Sequence, residues 1–169
     1  MQNKQLELLQ LESELTLPEI EKTDYEYILG DVYKVSSVFP NYDMSVVSNW
    51  GMRIHPLVST TVDYHNGIDL ECPIGTEVSA MFNGEVIEAG DNWGLGNYVR
   101  IKHGNGIISI YGHLSKILVS VGQQVKQYDV IGRTGKSGNT RDEVLHLGLF
   151  INGQSVDPAI LYKNVLRGK

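Results

Sequence analysis

His65 and Asp69 stand four residues apart across Gly67, in the run His65-Asn66-Gly67-Ile68-Asp69, and two further histidines follow far downstream. His113 lies in Tyr111-Gly112-His113-Leu114-Ser115 and His146 in Leu145-His146-Leu147. Imidazole and carboxylate are donors that zinc accepts, and together these residues suggest a zinc site. Four residues of straight strand span roughly 13 Å, whereas two ligands of one zinc sit within about 3.5 Å of each other, so the segment must bend. Gly67 at its centre accepts unusual backbone angles, and a turn there brings imidazole and carboxylate together. One turn of helix with ligands at i and i+4 is disfavoured by that glycine and by turn-forming Asn66.

A hydrolytic zinc centre keeps three protein ligands and leaves a fourth position for water, whose pKa the metal lowers towards neutrality. His65, Asp69 and His146 supply a two-His, one-carboxylate set of that kind, with His146 on a late strand facing the bend. A general base must stand within reach of the water, and His113, expected at a strand end, is the best candidate. His55 and His103 sit in turn-like loops and read as surface or satisfied interior residues. Cys72 is the only cysteine, which excludes an internal disulfide and leaves any metal to His and carboxylate. Its thiol reads as packed. Arg53 either orients a carboxylate or phosphate-like group or pairs with a neighbouring acid. Trp93, in the glycine-rich run from Asp91 to Gly96, either walls a peptide groove as a substrate contact or packs on its own hairpin.

The elements that must position these side chains are short and strand-like. Thr76 to Ala80, Gly84 to Gly90, Asn97 to Lys102, Gly106 to Tyr111 and His146 to Ile151 alternate β-branched or aromatic residues with others. Glycine or Asn-Gly stands at their ends, the pattern of antiparallel strands joined by tight turns. Val46 to Gly51 reads as a strand entering a turn, and Met52 to Pro56 as a polar loop. The expected organisation is a mainly β, compact antiparallel domain over residues 32–165 behind an N-terminal helical segment or linker over 1–31. Leucines 6, 8, 9, 11 and 15 set that segment's amphipathic pattern up to Pro18, and it either packs on the domain or serves oligomerisation.

The 169 residues suffice for one domain with a core, and 41% hydrophobic with 20% charged residues excludes a mainly disordered chain. A net charge of −6 without clustered Lys and Arg argues against nucleic acid. No apolar run reaches the ~18 residues of a membrane span and no signal-peptide core is present, so a membrane is expected to be involved only through a segment outside this chain.

Several ordered motifs resemble the lysostaphin/LytM-type zinc peptidases of bacterial cell walls. They are Gly51-Met52-Arg53-Ile54-His55-Pro56, His65-x-Gly67-x-Asp69, Tyr111-Gly112-His113-Leu114-Ser115, Gly135-x-Ser137-Gly138, Leu145-His146-Leu147, Asn152-Gly153 and Val156-Asp157-Pro158. The resemblance spans residues 44–162. It implies zinc ligation by His65, Asp69 and His146, assistance to the attacking water by His113, and a groove floored by the central sheet. It further implies peptidoglycan peptides as substrate and an extracytoplasmic or phage-associated setting. One departure stands out: Val144 occupies the first histidine of the family's H-x-H motif. In active members that histidine stabilises charge beside the metal, and losing one such donor costs roughly 10²–10³ in rate unless Arg141, Asp142 or Glu143 substitutes. Two readings follow, a zinc endopeptidase and a catalytically impaired zinc-binding module with a binding, regulatory or assembly role.

Overall fold

The computed structural model describes residues 38–39, 45–55, 58 and 60–161. The helical segment expected over 1–31, with its oligomerisation role, lies outside the described residues. Twelve strands are described: β1 (Ser45–Ser48), β2 (Gly51–Ile54), β3 (Val62–His65), β4 (Ile68–Glu71), β5 (Glu77–Ser79), β6 (Gly84–Asn92), β7 (Gly96–Gly104), β8 (Ile107–Ile117), β9 (Gln124–Val125), β10 (Val130–Thr134), β11 (Val144–Ile151) and β12 (Gln154–Val156). All their pairings are antiparallel. Ten form one sheet whose main path runs β1-β4-β11-β8-β7-β6-β9, and β2 with β3 forms a separate two-stranded ribbon. Met52 to Ile54 is therefore strand rather than loop: the segment pairs with Val62 to Tyr64, and Arg53 faces Asp63 across the ribbon. Opposite charges on directly paired residues favour such a ribbon where hydrophobic pattern alone does not mark it.

Side chains alternate between the two faces of a strand, and this period of two separates core from groove. On β11 the residues Leu145, Leu147, Leu149 and Ile151 are fully buried in the core. Val144, His146, Gly148 and Phe150 therefore take the opposite face. On β4 Ile68 and Leu70 point into the core, which leaves Asp69 and Glu71 for the groove. The hairpin between β11 and β12 turns on Asn152 and Gly153, at φ of 51° and 80°. Positive φ at both central residues is what a two-residue type I′ turn demands, and Asn-Gly meets it at little cost.

The phase breaks once, at the residue that matters most. Asn97 and Val99 on β7 face Leu114 and Tyr111 on β8, so β8 carries one extra residue between them. His113 at this bulge takes φ of 61°. The shift lets Tyr111 and Leu114 both enter the core while His113 turns to the groove face, the re-aiming that bulges achieve. His113 thus lies inside β8 rather than at a strand end.

His103 is half-buried and satisfied by a chain of hydrogen bonds. Its Nδ1–H donates to the Asn83 carbonyl at 2.8 Å, and its Nε2 lies 2.6 Å from the Ser109 hydroxyl. That hydroxyl is 2.9 Å from the Tyr111 hydroxyl, which accepts the Met81 N–H at 2.8 Å. Burial lowers the pKa of His103 below its ordinary value, so between the folded and unfolded pKa the native state binds fewer protons. Its contribution to stability is complete above about pH 6.5 and is lost as the pH falls below that value. Urea midpoints measured with chelator at pH 7.5 and 5.5 should therefore fall further for the wild type than for His103→Gln, and equal falls would exclude this coupling.

Candidate metal centre

His65 ends β3, the chain bends at Asn66 and Gly67, and Asp69 follows in β4. His146 is the direct partner of Asp69 across the β4–β11 ladder. These placements bring three donor atoms into a nearly equilateral triangle. His65 Nε2 lies 3.1 Å from His146 Nδ1, and Asp69 Oδ1 is 3.2 Å from each nitrogen. All three residues are buried. Ligands at the 2.0–2.1 Å usual for zinc have tetrahedral edges of about 3.3 Å, so these residues fit a zinc ion. His65 Nδ1–H donates to the Asn49 carbonyl at 2.9 Å, which leaves the Nε2 lone pair for a metal.

Electrostatics favour the ligating forms. Burial alone would raise the Asp69 pKa, but hydrogen bonds from His146 and His65 outweigh it and hold the carboxyl well below the usual carboxylate range. Burial lowers the pKa of His146 and the Asp69 carboxylate only partly offsets this. The neutral imidazole is the form that binds metal.

Gly67 does not work as its position in a bend suggests. It is absent from the glycines of positive φ, so no left-handed turn requires it. A Cβ there would strike the Leu147 carbonyl and lie 2.8 Å from both Cε1 and Nε2 of His146. The bare backbone is thus a seat on which the His146 ring lies, and close approach is why glycine is needed.

His113 stands across the groove, its ring centroid 5.9 Å from that of His146. Its backbone N–H donates to the Leu95 carbonyl at 2.6 Å, and its Nδ1–H to the Ser137 carbonyl at 2.7 Å. The Nε2 lone pair remains available to accept a proton. Burial, and then the neighbouring His146, lower its pKa, so it is neutral at pH 7. Ser137 in turn ties its loop to the sheet, since its hydroxyl donates to the Leu114 carbonyl at 2.6 Å and accepts the Asn97 N–H at 3.0 Å.

A cavity of about 270 Å³ opens over these groups. Ile110 and Phe150 contribute apolar surface, Asn66, Asn92 and Asn139 amides, and Tyr64 and Leu95 complete much of the wall. Arg53 also reaches it, yet its guanidinium is engaged with Asp63, Ser48 and Asp69. It pairs with acids, as one of its two expected roles requires. Trp93 is 80% exposed beside the β6–β7 turn, so it is not packed on its hairpin; its neighbours Asn92, Gly94 and Leu95 line the cavity, but the indole does not. His55 accepts the Val58 N–H at 3.1 Å in its loop.

Val144 is buried on the groove face, two residues from His146 and opposite Glu71. Asp142 and Glu143 border a second cavity, of about 510 Å³, with Glu71, Cys72 and Val144. Neither these acids nor Arg141 lines the cavity over the triad, so the three replacements weighed for the missing histidine do not stand there. Cys72 is packed in the core, where burial pushes its thiol up to about 11. Asn49 and Ser137 were not marked by the sequence, because each acts on a histidine through a backbone carbonyl that any residue carries.

An antiparallel sheet bearing a His/Asp/His triangle with a second histidine-bearing strand beside it defines a metallopeptidase domain of the lysostaphin/LytM type. The chain belongs to peptidase family M23, whose model matches residues 63–158, and that family implies a metal. The peptidoglycan DD-endopeptidase ShyA of Vibrio cholerae is 42% identical over 105 residues, which cover 62% of this chain and 24% of ShyA. The chain thus spans about a quarter of that relative's length. The catalytic domain of the antimicrobial peptidase lysostaphin from Staphylococcus simulans superposes with a TM-score of 0.61 at 30% identity, covering 74% of this chain and 96% of that domain. A chain of the SpoIIQ–SpoIIIAH pore-forming complex gives a TM-score of 0.63 at 26% identity, covering 72% and 85%.

The seat under His146 gives a direct test. Gly67→Ala should weaken zinc binding at least tenfold in a chelator-competition titration and destabilise the apo fold by about 1–3 kcal/mol, the usual cost of overpacking. Unchanged affinity would show that the ring does not depend on that close approach.

Proposed function

We propose that the chain is a zinc-dependent endopeptidase domain that hydrolyses peptide bonds of bacterial peptidoglycan, in cross-bridges or stem peptides, outside the cytoplasm. The single observation that carries this reading is the buried triangle of His65, Asp69 and His146 with the neutral His113 across the groove. The similarity to ShyA, a peptidoglycan DD-endopeptidase, supports peptidoglycan as the substrate class, and the likeness to lysostaphin supports peptidase activity.

His65 Nε2, Asp69 Oδ1 and His146 Nδ1 would hold the zinc, which when bound supplies Lewis acidity and lowers the pKa of water. His113 Nε2 takes the proton of the attacking water as general base and returns it to the leaving amine. The Ser137 carbonyl steadies the imidazolium formed in between through its bond to Nδ1–H. An extended peptide lies over Ile110 and Phe150, with the amides of the rim placed for its backbone. Val144 donates nothing to the developing oxyanion, and the absent donor costs about 10²–10³ in rate.

A second reading keeps the zinc but gives the domain a binding or assembly role. Val144 favours it, as does the likeness to a chain of a pore-forming complex.

Turbidity loss of purified peptidoglycan separates the two. The enzyme reading expects about one zinc per chain, lysis abolished by His113→Ala with zinc retained, and lysis accelerated by Val144→His. Zinc without lysis on peptidoglycans of several cross-link types would favour the assembly role.

A further inference from the structure

Asp69 divides its two carboxylate oxygens between different partners. Oδ1 completes the triangle with His65 and His146 at 3.2 Å. Oδ2 instead accepts from Arg53 Nη1 at 3.4 Å. The same Nη1 donates to the Ser48 hydroxyl at 2.7 Å, and that hydroxyl lies 3.4 Å from His65 Nδ1. Arg53 therefore touches one member of the triangle directly and a second through Ser48. Its Nε donates to Asp63 Oδ1 at 3.1 Å, and Asp63 is the residue paired with Arg53 across the β2–β3 ribbon.

We propose that Arg53 is a positioning residue of the metal centre, holding Asp69 so that Oδ1 alone faces the two histidines. The inference rests on the metal-centre reading above. A carboxylate left to itself can turn about its last torsion and present either oxygen, or both. Tying Oδ2 to a cation removes that freedom and gives a partner to an oxygen that is costly to leave unpaired in a buried setting. Asp63 makes the tie directional: with Nε fixed along the ribbon, the planar fork can point Nη1 only towards Ser48 and Asp69. A lysine has no fork and cannot hold Asp63 and Asp69 at once. Nε and Nη1 are committed to three protein oxygens, on Asp63, Ser48 and Asp69.

The experiment compares wild type, Arg53→Lys, Arg53→Ala and Asp63→Asn. Zinc affinity is measured by competition with a chromophoric chelator, and ligand geometry by the visible spectrum of the cobalt-loaded chain. Both Arg53 variants should bind zinc 10–100-fold more weakly, the usual effect of removing a residue that orients a metal ligand. Asp63→Asn should weaken binding less, and the cobalt bands should shift in all three. If Arg53→Ala does not fold without metal, the lysine and Asp63 variants carry the same comparison. Equal zinc affinity in wild type and Arg53→Lys, with the variant's loss confined to KM for a peptide substrate, would overturn the inference and leave the metal centre intact. A wild-type chain that takes up no zinc would overturn the metal-centre reading, and this inference with it.

Discussion

The register between β4 and β11 is the constraint on which the site depends. Asp69 and His146 are direct partners in that ladder, so their meeting is set by backbone pairing and not by the reach of flexible side chains. A slip of β11 by one residue would turn His146 into the core and bring Leu145 and Leu147 to the groove, parting His146 from Asp69. Four fully buried residues on one face of β11 guard against it, since each would have to leave the core for water. The hydrophobic core and the donor triangle are thus two outcomes of one register.

Around that fixed pair, the remaining groups are set by local irregularities. His65 arrives from a ribbon outside the main sheet. His113 arrives through a bulge and a left-handed backbone that histidine adopts only at a cost of order 1–3 kcal/mol. The Leu95 and Ser137 carbonyls take up its two N–H groups and help to keep that conformation. Strain of this kind is held where the surroundings over-determine it, and here it separates the phase of β8 so that a core strand can also present a polar side chain.

Much of this was legible in the residues. Alternation, Asn-Gly turns and the absence of helical periodicity beyond the N-terminal segment marked a β domain, and donor types at His65, Asp69 and His146 marked a candidate triangle. The remainder depended on partners distant in sequence. The β2 strand is only four residues long, too short for the alternation of Met52, Arg53 and Ile54 to mark it, and it owes its pairing to β3. Gly67 was expected for its freedom of φ, whereas its real requirement is the ring of a histidine 79 positions later, by the numbering of the chain. The bulge at His113 is a mismatch in count between β7 and β8, which neither strand's sequence carries alone. Val144 was legible as a departure, and burial shows what it does instead: it packs.

The lone cysteine bears on where such a domain can function. Disulfide exchange and oxidation proceed through the thiolate, and a buried thiol held near 11 supplies almost none at neutral pH. Cys72 has no second cysteine with which to close a bridge inside the chain, and its burial denies it one on another chain. The fold therefore keeps this sulfur reduced in oxidising and reducing surroundings alike, without needing a reductant.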